Sequence, residues 1–150
     1  MTAAELNAFL AEVYPQIAGD VRVDRVAPME ADVRLLVTGA HLRPGGTVSG
    51  PWMFSVADLA MYAVTLAMIG PVAMTVTTNC SIDFMRKPAA GADLIGRARL
   101  LKLGRTLAVG DVLMFSEGQA DDILDMRLGQ LTRLSRIDIE TEIEDARAQI

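Results

Sequence analysis

Apolar residues recur at helical spacing near the start of the chain, at Leu6, Phe9, Leu10 and Val13. That spacing predicts a helix over residues 3–14, which Pro15 ends. From Val21 the period drops to two. Residues 22–27 and 31–38 alternate polar and apolar positions at least in part and predict two strands, with Pro28-Met29-Glu30 as the turn between them. Residues 41–50 form a loop by their glycine and proline content. Residues 51–69 are then apolar on every side, with Pro51 suited to a first helical position and Gly70-Pro71 closing the run. Strand-like runs follow at 74–84, 92–103 and 106–116, and a longer alternating run at 123–136. Gly104-Arg105 is short enough to make a hairpin of the middle pair. The order predicts an α+β domain over residues 1–137, with the first helix in residues 1–15. An antiparallel sheet would curl around one long apolar helix at about 51–69. Residues 138–150 read as a charged tail.

Composition narrows this picture. The 150 residues are 51% hydrophobic and 22% charged, with a net charge of −5. The chain is therefore globular and lacks the basic face that a nucleic-acid partner would want. Its one cysteine, Cys80, excludes an internal disulfide, fits a reducing, cytoplasmic setting and reads as a core filler. The first residues show no basic region followed by an apolar run, the mark of a signal peptide. One histidine and one cysteine without ligand spacing predict no metal site. His41 reads as a loop residue rather than a catalytic base. Residues 51–69 are about as long as a membrane span. A charge near the middle and the lack of basic flanks argue instead for a core helix, so no membrane partner is expected.

That charge is the informative one. Between Pro44 and Ile82 the only charged residue is Asp58. An ionised carboxylate in an apolar setting costs several kcal/mol unless something compensates, and folding alone would be served better by Ala or Leu. Asp58 is thus the first candidate for chemistry. Gly50 stands where the helix should begin. Free N–H groups and the positive end of a helix dipole there can stabilise an oxyanion, and a glycine allows close approach. Eight residues separate Gly50 from Asp58, roughly 12 Å along a helix axis. One short contact from both to the same carbonyl is excluded. The carbonyl must lie between them, or Asp58 must reach it from another subunit.

At this point the chain resembles a known family. Gly46-Thr47-Val48-Ser49-Gly50-Pro51 followed by Phe54-Ser55-Val56-Ala57-Asp58 is similar to the loop and helix of the PaaI-like hotdog-fold acyl-CoA thioesterases. The run from Thr75 through Phe84-Met85-Arg86-Lys87-Pro88 resembles that family's following strand, and Leu103-Gly104-Arg105-Thr106 its hairpin turn. The resemblance spans about residues 21–136. It implies Asp58 as general base or nucleophile and the Gly50 N–H as donor to the thioester carbonyl. It also implies Thr77 as a hydroxyl that helps orient water, and Arg86, Lys87 and Arg105 as contacts to coenzyme A phosphates. No cofactor is implied beyond the coenzyme A of the substrate, and the working unit would be a homodimer or homotetramer with a shared site.

The chain departs from the family pattern at two places. Ser49 stands where the family has His, followed by Pro51 for a second Gly. Arg43 stands where Asn or Gln is usual. An arginine there could pair with Asp58, or bind an anionic acyl group or a phosphate. Plainer readings stay open for each residue. Asp58 could be a tied structural carboxylate, Gly50 a turn residue, Thr77 a β-former, and the basic residues solvated strand ends. Met53, Met61, Met68 and Met74 read as core, or as the lining of an acyl pocket. Thioester hydrolysis is the leading function, and a non-catalytic acyl-CoA or lipid-binding protein of the same fold is the alternative.

Overall fold

A computed structural model of the chain describes residues 1–119 and 124–131. Its elements run α1 Ala3–Val13, β1 Val21–Ala27, β2 Glu30–Leu35, a 3-10 turn Gly39–His41, β3 Leu42–Arg43, β4 Thr47–Val48, α2 Gly50–Ile69, β5 Val76–Phe84, β6 Leu94–Leu103, β7 Leu107–Ser116 and β8 Leu124–Leu131. Six strands form one antiparallel sheet in the order β1-β2-β6-β7-β8-β5, while β3 and β4 make a separate two-stranded ribbon. This is the expected hotdog arrangement of a curled sheet around a long helix. The charged tail, and the expected extension of the last strand to residue 136, lie outside the described residues.

The sheet encloses α2 because one face of each central strand is apolar. Ala31, Val33 and Leu35 of β2, Leu94, Ala98 and Leu100 of β6, and Ala108, Val112 and Met114 of β7 are all buried. In α2 they meet Val56, Ala57, Ala60, Met61, Ala63, Val64 and Ala67. The small residues let the helix lie close. At Gly110 the approach is so tight that a Cβ would come within 2.6 Å of the Arg99 carbonyl oxygen and 2.7 Å of Met61 Sδ. Any side chain there would have to displace both the β6 backbone and the Met61 side chain, at a cost of about 1–3 kcal/mol. By length and composition α2 could cross a membrane, yet the sheet covers most of its surface.

The outer face of the sheet carries the charges. Asp32 on β2 accepts bonds from Arg97 on β6 and Arg25 on β1 at 3.0–3.2 Å. Burial raises the Asp32 pKa, but the two guanidinium groups outweigh it and hold the carboxyl below its usual range.

The two edges of the sheet differ. At β1, α1 packs alongside, and the Asn7 amide bonds both the N–H and the C=O of Val23. The helix is started by a Thr2–Glu5 capping box and buries Leu6 and Leu10. At β5 nearly every residue is exposed on both faces, Cys80 included. Cys80 is therefore not the core filler expected, because it lies on an edge strand that is mostly exposed in a single chain. Phe84 and Met85 are 52% and 49% exposed at the end of that strand.

Candidate active site

Asp58 is not fully buried. The sheet covers most of α2 but leaves open a stripe formed by Pro51, Phe54, Ser55, Asp58 and Tyr62, which recur at helical spacing. Asp58 is half-buried on that stripe, so its carboxylate keeps access to water while its neighbours stay apolar. The hydroxyl of Thr77, at the start of β5, donates to Asp58 Oδ1 at 2.5 Å. A bond of this kind to a charged group contributes about 1.5–3 kcal/mol and meets part of the burial cost. Thr77 is held in turn by Gln130 of β8, whose Nε2 donates to Thr77 Oγ1 at 3.3 Å.

These groups stand on the wall of a cavity of about 740 Å³. Trp52, Phe54, Leu59 and Tyr62 of α2 line it, with Val13, Tyr14 and Ile17 from the end of α1 and Met74 before β5. The Tyr62 hydroxyl donates to the Ala73 carbonyl at 3.0 Å, and burial raises its pKa. Among the described residues, Asp58 is the only acidic or basic side chain in this lining.

Gly50 belongs elsewhere. It is the first residue of α2, with Ser49 as N-cap, and it faces a second cleft of about 390 Å³. Arg43, Arg86 and Lys87 line that cleft together with Phe84 and Met85. The conformation of Gly50 is ordinary, with no positive φ, and a Cβ there would make only van der Waals contact with the Phe84 ring, at 3.8 Å. Neither the turn nor the packing of a single chain requires glycine at this position.

The structure thus brings together Asp58 with Thr77, and Gly50 with Arg43, Arg86 and Lys87. Arg43 and Asp58 line different cavities, and no ion pair joins them among the described residues. Ser49 makes no side-chain capping bond. Arg105, in the β6–β7 turn, lines neither cavity. Met53 and Met61 are core residues, whereas Met74 lines the Asp58 cavity.

His41 lies in the loop, in its 3-10 turn, and is buried there. Its Nδ1 accepts the Thr38 N–H at 2.9 Å, so Nε2 carries the proton. Nε2 lies 3.2 Å from Asp20 Oδ1 but off the line of a hydrogen bond. The ring meets Trp52 edge-on at 4.4 Å, which pins the start of α2. Gln130 and Tyr62 went unnoticed in the sequence. Gln130 carried a signal, since it interrupts an alternating apolar set, Leu124, Met126 and Leu128.

Comparisons with known proteins bear on the family and the fold. A family model described as the thioesterase superfamily matches residues 45–123. A candidate thioesterase from Silicibacter sp. TM1040 is 54% identical, with 86% of this chain and 90% of that one covered and a TM-score of 0.81. A mutant form of the phenylacetic acid degradation protein PaaI from Thermus thermophilus is 30% identical, with 80% and 99% covered and a TM-score of 0.68. A hypothetical thioesterase protein from Streptococcus pneumoniae, solved with coenzyme A, shares the fold at 16% identity, with 85% and 94% covered and a TM-score of 0.67. Among curated proteins, none matches.

Proposed function

The chain belongs to the thioesterase superfamily, as a PaaI-like thioester hydrolase, and we propose that it hydrolyses an acyl-CoA at a site shared between two copies of itself. The observation that carries this reading is the division of the chemistry. The carboxylate and its hydroxyl partner stand in one cavity. The helix N-terminus and three cationic side chains stand in another. Hydrolysis of a thioester needs both sets at one carbonyl. Joining β5 to β5 of a second copy would extend the sheet and cover the exposed apolar residues Val76, Phe84 and Met85. It would also bring the Gly50 end of one chain towards the Asp58 cavity of the other.

In this reading the acyl chain enters the apolar cavity beside Asp58. The Gly50 N–H, at the positive end of α2, binds the carbonyl oxygen as it gains charge. Asp58 takes a proton from a water that attacks the carbonyl carbon, or it attacks that carbon itself to form a mixed anhydride that water cleaves once the thiolate has left. Thr77 fixes the carboxylate in place. The C–S bond then breaks and the thiolate of coenzyme A leaves and is protonated. Arg43, Lys87 and Arg86 supply positive charge at the cleft for the phosphates of the coenzyme, with Arg105 as a further candidate from the partner. Ser49, the N-cap of α2, stands in place of the family's histidine beside Gly50. No other cofactor is needed.

The test is free-thiol release from short, medium, long and aromatic acyl-CoAs, with wild type set against Asp58→Asn. Turnover that disappears in the variant supports the reading. Binding without turnover in wild type would instead favour a non-catalytic acyl-CoA-binding protein, with Arg43 and Ser49 as the suspected cause.

A further inference from the structure

Behind Thr77 the structure holds a polar group that folding does not ask for. Gln130 is 1% exposed, on the inward face of β8 next to Leu128. Its Nε2 donates to Thr77 Oγ1 at 3.3 Å, and its Oε1 accepts from Thr65 Oγ1 at 3.2 Å. Thr65 is fully buried in α2, and its hydroxyl also reaches the Met61 carbonyl at 2.8 Å. With an apolar residue at 130, Thr65 would keep Met61 and Thr77 would keep Asp58. No buried group would be orphaned, and the cost of burying an amide would vanish.

We infer that Gln130 is a positioning residue that acts through Thr77 to aim a single hydroxyl proton at Asp58. A threonine hydroxyl has one proton to give and two lone pairs. The Gln130 N–H occupies one lone pair, so the Thr77 proton points away from Gln130 and at Asp58 Oδ1. Turned the other way, the amide would present Oε1 to Thr77 and compete with Asp58 for that proton. The carboxylate, which can only accept, therefore selects the amide orientation seen. Thr65 holds the far end of the amide from inside the helix that also carries Asp58, so the relay begins and ends on α2. Asp58 Oδ2 has no partner among the described residues and is left for chemistry. The inference rests on Asp58 being the reacting carboxylate.

The experiment is steady-state thiol release with wild type, Asp58→Asn, Gln130→Met, Thr77→Val and the double variant Gln130→Met/Thr77→Val, together with the thermal midpoint of each. Gln130→Met should fold with an unchanged or higher midpoint. Its kcat should fall about threefold to tenfold, the scale of one neutral hydrogen bond, with KM within about twofold. In the Thr77→Val background the same substitution should have no further effect, because its path to Asp58 is already cut. An unchanged kcat in Gln130→Met, or an equal loss with and without Thr77, overturns the inference while leaving Asp58 in its role. A lower midpoint with kcat and KM both disturbed would mark Gln130 as merely structural and also overturns it. If wild type shows no turnover, or Asp58→Asn keeps it, the active-site reading fails and the inference falls with it.

Discussion

The two cavities of this chain lie on neighbouring parts of its surface and are built from opposite materials. The larger has walls of Trp52, Phe54, Leu59 and Tyr62 around a single carboxylate. The smaller has the N-terminus of α2 and three cationic side chains around a glycine that its own chain does not need. One is suited to an acyl chain and a base, the other to an oxyanion and an anionic carrier. β5, which begins at one cavity and ends at the other, is the exposed edge of the sheet. The edge at β1 is closed by α1 and Asn7. One edge covered, the other exposed, and the chemistry divided on either side of it are the features on which the proposed two-copy site rests.

The largest expected effect breaks the comparison at the carboxylate. Asp58→Asn should lower kcat by about a thousandfold, the scale of a lost general base. Gly50→Val, with a branched side chain at the oxyanion donor, should also be inactive. If the two cavities serve one site across subunits, mixing and reassembling these two dead variants should restore about a quarter of the wild-type rate. A mixture that stays dead would show that each chain is self-sufficient. The next effect is at Gly50→Ala. The fold has room for that Cβ, so the thermal midpoint should hold while kcat falls about tenfold to a hundredfold through displacement of the carbonyl. An active Gly50→Ala would remove the close approach.

A smaller effect is expected from the cations. Arg43→Ala and Lys87→Ala should each raise KM by about threefold, the scale of an exposed ion pair, and added salt should raise the wild-type KM in the same direction. Insensitivity of both would detach the smaller cleft from substrate binding. The last prediction is a control outside both cavities. Asp32 has a lowered folded-state pKa, so the stability it lends is complete above the ordinary carboxylate range and is lost as pH falls below it. Asp32→Asn should destabilise by about 1–2 kcal/mol at neutral pH, with the gap to wild type narrowing towards about pH 3. Denaturant melts at the two pH values check this, and kinetics at neutral pH should not change.

Much of this molecule is legible in one dimension. Periods of two and of 3.6 residues are local, so the chain itself determined the strands of the main sheet, the hairpin at Gly104-Arg105 and the long apolar helix with its lone Asp58, though not the short β3–β4 ribbon. The helix boundaries moved by only one or two residues. A carboxylate in an apolar run is also a local anomaly, visible in the sequence without knowing what packs against it. Tertiary structure alone decided which groups Asp58 would meet. Thr77 lies 19 residues on, and Gln130 is brought to it only by the pairing of β5 with β8. The fold likewise placed Arg43 with Gly50 rather than with Asp58, buried His41 and left Cys80 exposed on an open edge. Hydrogen bonds and cavities depend on distances across the sheet, and those are set by strand order and register rather than by spacing along the chain.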